Sequence, residues 1–205
     1  MQVSFLEPLI SPTPIAWGKQ AVEKLHWLLS DHAYCERKAA AFAIGLLQKY
    51  GHFYKDHMPL SKLVREEMRH YELVMRILEI NNLTLIRLPA CGYARNLRSA
   101  VVEDEPQRHI RMLLIAAIIE ARSCERFEVL SECLRGVDNK LATFYSKLAL
   151  AEKRHHLLYV EMACELMSES LVLENLQLLS ELEQGWLEQN ISTSSMHSGI
   201  LIKEN

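Results

Sequence analysis

The chain has 205 residues, 49% hydrophobic and 24% charged, with only seven Gly and six Pro, a mixture that suits a helical domain large enough to bury a core. A net charge of −3 excludes a globally basic nucleic-acid binder, so any such contact must come from a local patch. Five cysteines, an odd number with no C-x-x-C pair, argue against a disulfide framework and a structural zinc site and lead to the expectation of a reducing cytoplasm.

In chain order, "MQVSFLEPLISPTPIAW" lacks the basic start of a signal peptide, and its three prolines predict an extended lead over residues 1–14. A first helix is expected from Ile15 to Tyr50, stopped by Gly51. After the connection "GHFYKDHMPL", Ser61 reads as the N-cap of a second helix that ends near Asn81 and Asn82. The stretch "LTLIRLPACGYARNLRSAVVEDEP" has no period, and a connection of that length inside a compact domain is often functional. A third helix is expected over Gln107–Arg135, closed by Gly136; its apolar run "MLLIAAII" is far too short to span a bilayer. Asp138 or Asn139 caps a fourth helix reaching about Met167. "SESLVLENLQLLSELEQGWLEQN" gives one further short helix, and residues 191–205 read as a polar, mobile tail after a single domain spanning 1–190. No segment alternates with the period of a strand. The expected fold is all-α: a ferritin-like four-helix bundle with a long crossover between helices two and three and an additional short C-terminal helix.

One phrase occurs twice. "SKLVREEMRHYELV" (61–74) and "SKLALAEKRHHLLY" (146–159) agree at seven of fourteen positions, among them Glu67/Glu152, Arg69/Arg154 and His70/His155. Positions i and i+3 share a helix face, so each Glu-x-x-His can address one point. Carboxylates with imidazoles suit iron or manganese, and two such motifs plus one Glu from each remaining helix make a di-metal carboxylate site. Helix one offers Glu36, surrounded at helical spacing by Leu29, His32, Ala33, Ala39, Ala40 and Ala43. Helix three offers Glu120 or Glu125. Glu120 has Leu113, Ala116, Ala117, Ser123, Cys124 and Phe127 around it, whereas Glu125 has Arg122, Glu128 and Glu132, a face that reads as solvated. Glu36 precedes Glu67 by 31 residues and Glu120 precedes Glu152 by 32, which favours Glu120. His156 reads as a packing residue; His26, His52, His57, His109 and His197 read as structural or surface groups, and the cysteines as small core residues.

The segments "TPIAW", "LLSDHAYCERKAA", "EEMRHYELV", "YARNLRS", "IIEARSCERF" and "AEKRHHLLY" together resemble the MiaE family of tRNA 2-methylthio-N6-isopentenyladenosine hydroxylases over about residues 12–165. The resemblance implies a ferritin-like non-haem diiron monooxygenase that uses O2 and two electrons from an external donor to hydroxylate the isopentenyl side chain of the modified adenosine beside the tRNA anticodon. It implies the iron ligands Glu36, Glu67, His70, Glu120, Glu152 and His155, with "EARSCER" containing both helix-three acids. A tRNA partner demands phosphate contacts. The crossover supplies Arg87, Arg95 and Arg98 with Tyr93 as a base-stacking surface, and Lys62, Arg65 and Arg69 could extend the patch. The rival expectations are a ferritin-like iron oxidase without an RNA substrate, a dimanganese catalase-like enzyme and a purely structural bundle.

Overall fold

The computed structural model describes residues 4–89, 91–99, 104–189 and 195–197. These residues form α1 (Ile15–Glu23), α2 (Leu25–Tyr50), α3 (Met58–Ile80), α4 (Tyr93–Ser99), α5 (Gln107–Leu134), α6 (Asn139–Cys164) and α7 (Glu169–Gln189), with a short 3-10 turn at Gly51–Phe53 and no strand among them. They gather into two compact units, one of residues 24–89 and one of 4–23 together with the described residues from 91 onward.

In the first unit α2 packs along α3. The inner stripe of α2 runs Leu28, Leu29, His32, Ala33, Glu36, Ala40, Ala43 and Leu46, the three-and-four spacing of a core-facing helix. Leu60, Leu63, Glu67, His70, Val74 and Leu78 answer it from α3. Both stripes are apolar except at their centres, where acids and imidazoles stand. In the second unit α5 packs on α6, α1 and α7, and α4 packs on α5 and α7. Gly18 lets α1 approach α5 closely: a Cβ there would stand 2.7 Å from both Cys133 Sγ and Val129 Cγ1. α5 ends at Gly136, whose φ of 78° is the left-handed cap. Asp138 then caps α6 by accepting from Lys140 N and Leu141 N, while Asn139 Oδ1 takes the Gly136 N–H.

Two helix hairpins with short connections, α2–α3 and α5–α6, separated by a long crossover and followed by one more helix, have the all-α element order of a ferritin-like fold. Some details differ from the sequence reading. The first helix is broken at Lys24 (φ −113°, ψ 40°), a break that no Gly or Pro marks. α3 begins at Met58, with Pro59 in its first turn and Asp56 Oδ1 accepting the Met58 N–H, so Ser61 lies inside the helix rather than at its cap. The crossover contains a helix, α4, whose two-sided pattern (Tyr93 and Leu97 in, Arg95 and Arg98 out) is too short to stand out as a period. Most of the tail from 191 lies outside the described residues; Ser195, Met196 and His197 are described and buried.

Candidate metal centre

In the 24–89 unit, Glu36, Glu67 and His70 are all buried, at 4%, 1% and 8% exposure. Each offers a ligand atom within 4.8 Å of the others. His70 Nδ1 lies 3.4 Å from Glu36 Oε2 and 3.8 Å from Glu67 Oε2. The helix supplies this geometry directly: Glu67 and His70 are one turn apart on α3, and Glu36 occupies the middle of the facing α2 stripe. Behind Glu36, His32 Nε2 lies 2.6 Å from Glu36 Oε1.

The other unit repeats the pattern. Glu120 on α5 and Glu152 and His155 on α6 are buried at 5%, 2% and 3%, with ligand atoms again within 4.8 Å of one another. His155 Nδ1 lies 3.6 Å from Glu152 Oε2.

The donor chemistry of each triad fits a divalent cation. Two carboxylates at that spacing repel by roughly 3 kcal/mol at an effective dielectric of about 20, and each also loses its water on burial. A doubly charged ion balances both charges, and carboxylate oxygens with a neutral imidazole nitrogen are the donors that iron and manganese take in buried helix bundles. Ligand types this close, twice, on motifs of the same spelling, make each triad a candidate metal site.

Glu125 has a different role. It is half-buried and accepts from Thr13 N and Thr13 Oγ1, both at 2.7 Å, and from Arg122. The face that the sequence suggested was solvated is exposed at Glu128 and Glu132, but at Arg122 and Glu125 it is an ionic network. Arg122 is 0% exposed and donates from Nε and Nη2 to the two oxygens of Glu183, at 2.7 and 2.9 Å, and to Ser11 O and Thr13 Oγ1. With Glu125, all five of its N–H groups have acceptors. Burial alone would lower the Arg122 pKa, but the hydrogen bonds and charge of Glu183 outweigh it and hold the guanidinium protonated. Neighbouring Arg126 lies over the Trp17 ring and donates to Met196 O; burial, and then the charge of Arg122, bring it down to about 10.

Tyr93 belongs to this network, which corrects its reading as a base-stacking surface. It is 2% exposed, donates its hydroxyl to Glu183 Oε1 at 2.9 Å, stacks on His197 and meets the edge of Trp186. Burial and then the Glu183 charge raise its pKa well above the usual phenol value. No face of the ring is left for a nucleobase. Arg87, Arg95 and Arg98 are exposed, as are Lys62, Arg65 and Arg69. Burial, with Glu128 and Glu152 nearby, pushes the Cys124 thiol up to about 12, so at neutral pH it is a thiol. His156 is a packing residue: its ring nitrogens lie 2.8 and 2.7 Å from Ala117 O and Phe5 O, pinning the lead. Sequence reasoning missed His32 and the Arg122–Glu183 pair. The first had a signal, an i,i+4 spacing to Glu36; the second, 61 residues apart, had none.

Comparison with known proteins places this chain in a family. The family model described as tRNA-(MS2IO6A)-hydroxylase (MiaE) matches residues 2–198. A Pseudomonas putida protein named tRNA 2-(methylsulfanyl)-N(6)-isopentenyladenosine(37) hydroxylase is 35% identical over 189 residues, covering 92% of this chain and 91% of its own. A Salmonella typhimurium protein of the same name is 29% identical, covering 92% and 87%. Among solved structures, a Synechococcus protein described as having aldehyde deformylating oxygenase activity superposes with a TM-score of 0.87 at 35% identity, over 96% of this chain and 98% of that one. Paired carboxylate–imidazole triads in a chain matched from residue 2 to residue 198 lead to one conclusion: the protein belongs to the MiaE family of tRNA hydroxylases.

Proposed function

We propose that this protein hydroxylates the isopentenyl side chain of 2-(methylsulfanyl)-N6-isopentenyladenosine at position 37 of tRNA, with two iron ions held by Glu36, Glu67, His70, Glu120, Glu152 and His155. The observation that carries the reading is the doubled triad within a chain of this family. Four carboxylates balance two ferrous ions, and the two imidazoles complete a donor set that favours iron over magnesium or zinc. When bound, such a pair of ions supplies the activation of O2 that an unreactive C–H bond requires. In the overall reaction one oxygen atom enters the C–H bond and the other leaves as water, consuming two protons and two electrons from a redox partner.

The chain's own side chains hold and shield. Glu and His on packed helices fix the ions in a dry environment. Ala33, Ala40, Ala116 and Ala117, all buried beside Glu36 and Glu120, keep bulk away so that a branched five-carbon chain can approach. No side chain serves as a separate general acid or base. For the RNA, exposed Arg87, Arg95 and Arg98 offer phosphate contacts. A tRNA substrate puts the enzyme in the cytoplasm; no described helix is long and apolar enough to cross a membrane.

The test is nucleoside mass spectrometry of tRNA that carries the isopentenylated adenosine, incubated with iron-loaded protein, O2 and a chemical reductant. The modified adenosine should gain the mass of one oxygen, and under 18O2 the heavy isotope. Fe2+ oxidation with no change in the nucleoside would favour the iron-oxidase reading instead.

A further inference from the structure

The buried stripe of α2 carries a polar side chain that the proposed ligand set does not use. His32, 0% exposed, stands one helical turn before Glu36, with Nε2 2.6 Å from Glu36 Oε1. An ionised carboxylate only accepts, so this nitrogen donates. The other oxygen, Oε2, is the one 3.4 Å from His70 Nδ1. One oxygen of Glu36 is therefore engaged by a fixed donor, while the other joins the donor atoms of Glu67 and His70.

We propose that His32 is a positioning residue, holding Glu36 so that Oε2 alone is offered to the ion of the α2–α3 triad. The inference rests on the two-metal reading above and deepens it. The geometry sets its chemistry: a carboxylate clamped at one oxygen binds an ion through the other, whereas an unclamped carboxylate can rotate to chelate or bridge. The device belongs to one hairpin. On α5 the residue one turn before Glu120 is Ala116, a methyl group that donates nothing, at the register that His32 has before Glu36. The two triads share a spelling in their Glu-x-x-His motifs and differ in the residue one turn before the third carboxylate. The α2–α3 ion site thus has an imidazole one turn before its third carboxylate, where the α5–α6 site has a methyl group.

Calorimetric titration of the metal-free full chain with Fe2+ under argon tests this on wild type, His32→Ala and His32→Gln. Wild type should take two ions. Outer hydrogen-bond partners of metal ligands are commonly worth about 10–100-fold in affinity, so His32→Ala should weaken one site by that factor and leave the second constant unchanged. Far-ultraviolet circular dichroism of the metal-free variant should match wild type. His32→Gln, whose amide can donate to Glu36, should recover much of the loss. An isotherm identical to wild type overturns the proposal, as does equal weakening of both sites with loss of helicity, which would make His32 a core residue only. A wild type that takes no Fe2+ overturns the two-metal reading and this inference with it; a two-ion wild type with an indifferent His32→Ala strikes His32 alone.

Discussion

Glu120 and Glu125 lie on one helix, and their surroundings separate them. Glu120 is among small apolar side chains with Glu152 and His155 within ligand distance, while Glu125 is consumed by Thr13 and Arg122. The small neighbours of Glu120 were legible in the sequence as helical spacing. The partners of Glu125 were not, because Thr13 is 112 residues away and contact over that distance leaves no local pattern. The same limit hid the Arg122–Glu183 pair, which explains why Arg122 is buried on a face whose Glu128 and Glu132 are exposed. A buried pair of this kind is costly to break: Arg122→Met leaves Glu183 buried with its main cation gone and should cost about 3–5 kcal/mol in urea unfolding. Arg122→Met combined with Glu183→Leu should recover part of that loss, since the stranded carboxylate is removed. A double variant no more stable than Arg122→Met would contradict the pairing.

At the scale of elements, α4 is the piece that the sequence rendered least well. Seven residues give two turns, too few for a period to emerge, and the helix is set by tertiary anchors: Tyr93 on Glu183 and His197, and Leu97 at 0% exposure. What the sequence did show was a run of arginines with no acid among them, and Arg95 and Arg98 are on the outer face. Tyr93, read as a platform for bases, is the anchor instead. Its aromatic ring gave the same sequence signal for either role; only burial distinguishes them. If α4 contacts tRNA phosphates, Arg95→Ala with Arg98→Ala should weaken tRNA binding and flatten the dependence of log affinity on log salt by about 0.9 per lost contact on duplex regions, or about 0.7 on single strands. Filter binding at several salt concentrations measures the slope, and an unchanged slope would remove α4 from the interface.

For the whole molecule, the repeat was the most informative feature. A doubled Glu-x-x-His, with one inward acid at matched spacing ahead of each, foretold two helix hairpins and the clustering of their acids and imidazoles, because the period of a helix sets which of those residues share a face. Helix ends were less legible: no Gly or Pro marks the break at Lys24, and α3 begins at Met58 with Pro59 in its first turn, not at the Ser61 cap that the sequence suggested. The central claim is that both triads hold iron and that Glu120, not Glu125, completes the second. The most direct measurement is iron per chain after anaerobic loading and desalting of wild type, Glu120→Ala and Glu125→Ala. The account predicts about two irons in wild type, a loss in Glu120→Ala and retention in Glu125→Ala. Retention in Glu120→Ala with loss in Glu125→Ala, or a wild type that holds no iron, would contradict it.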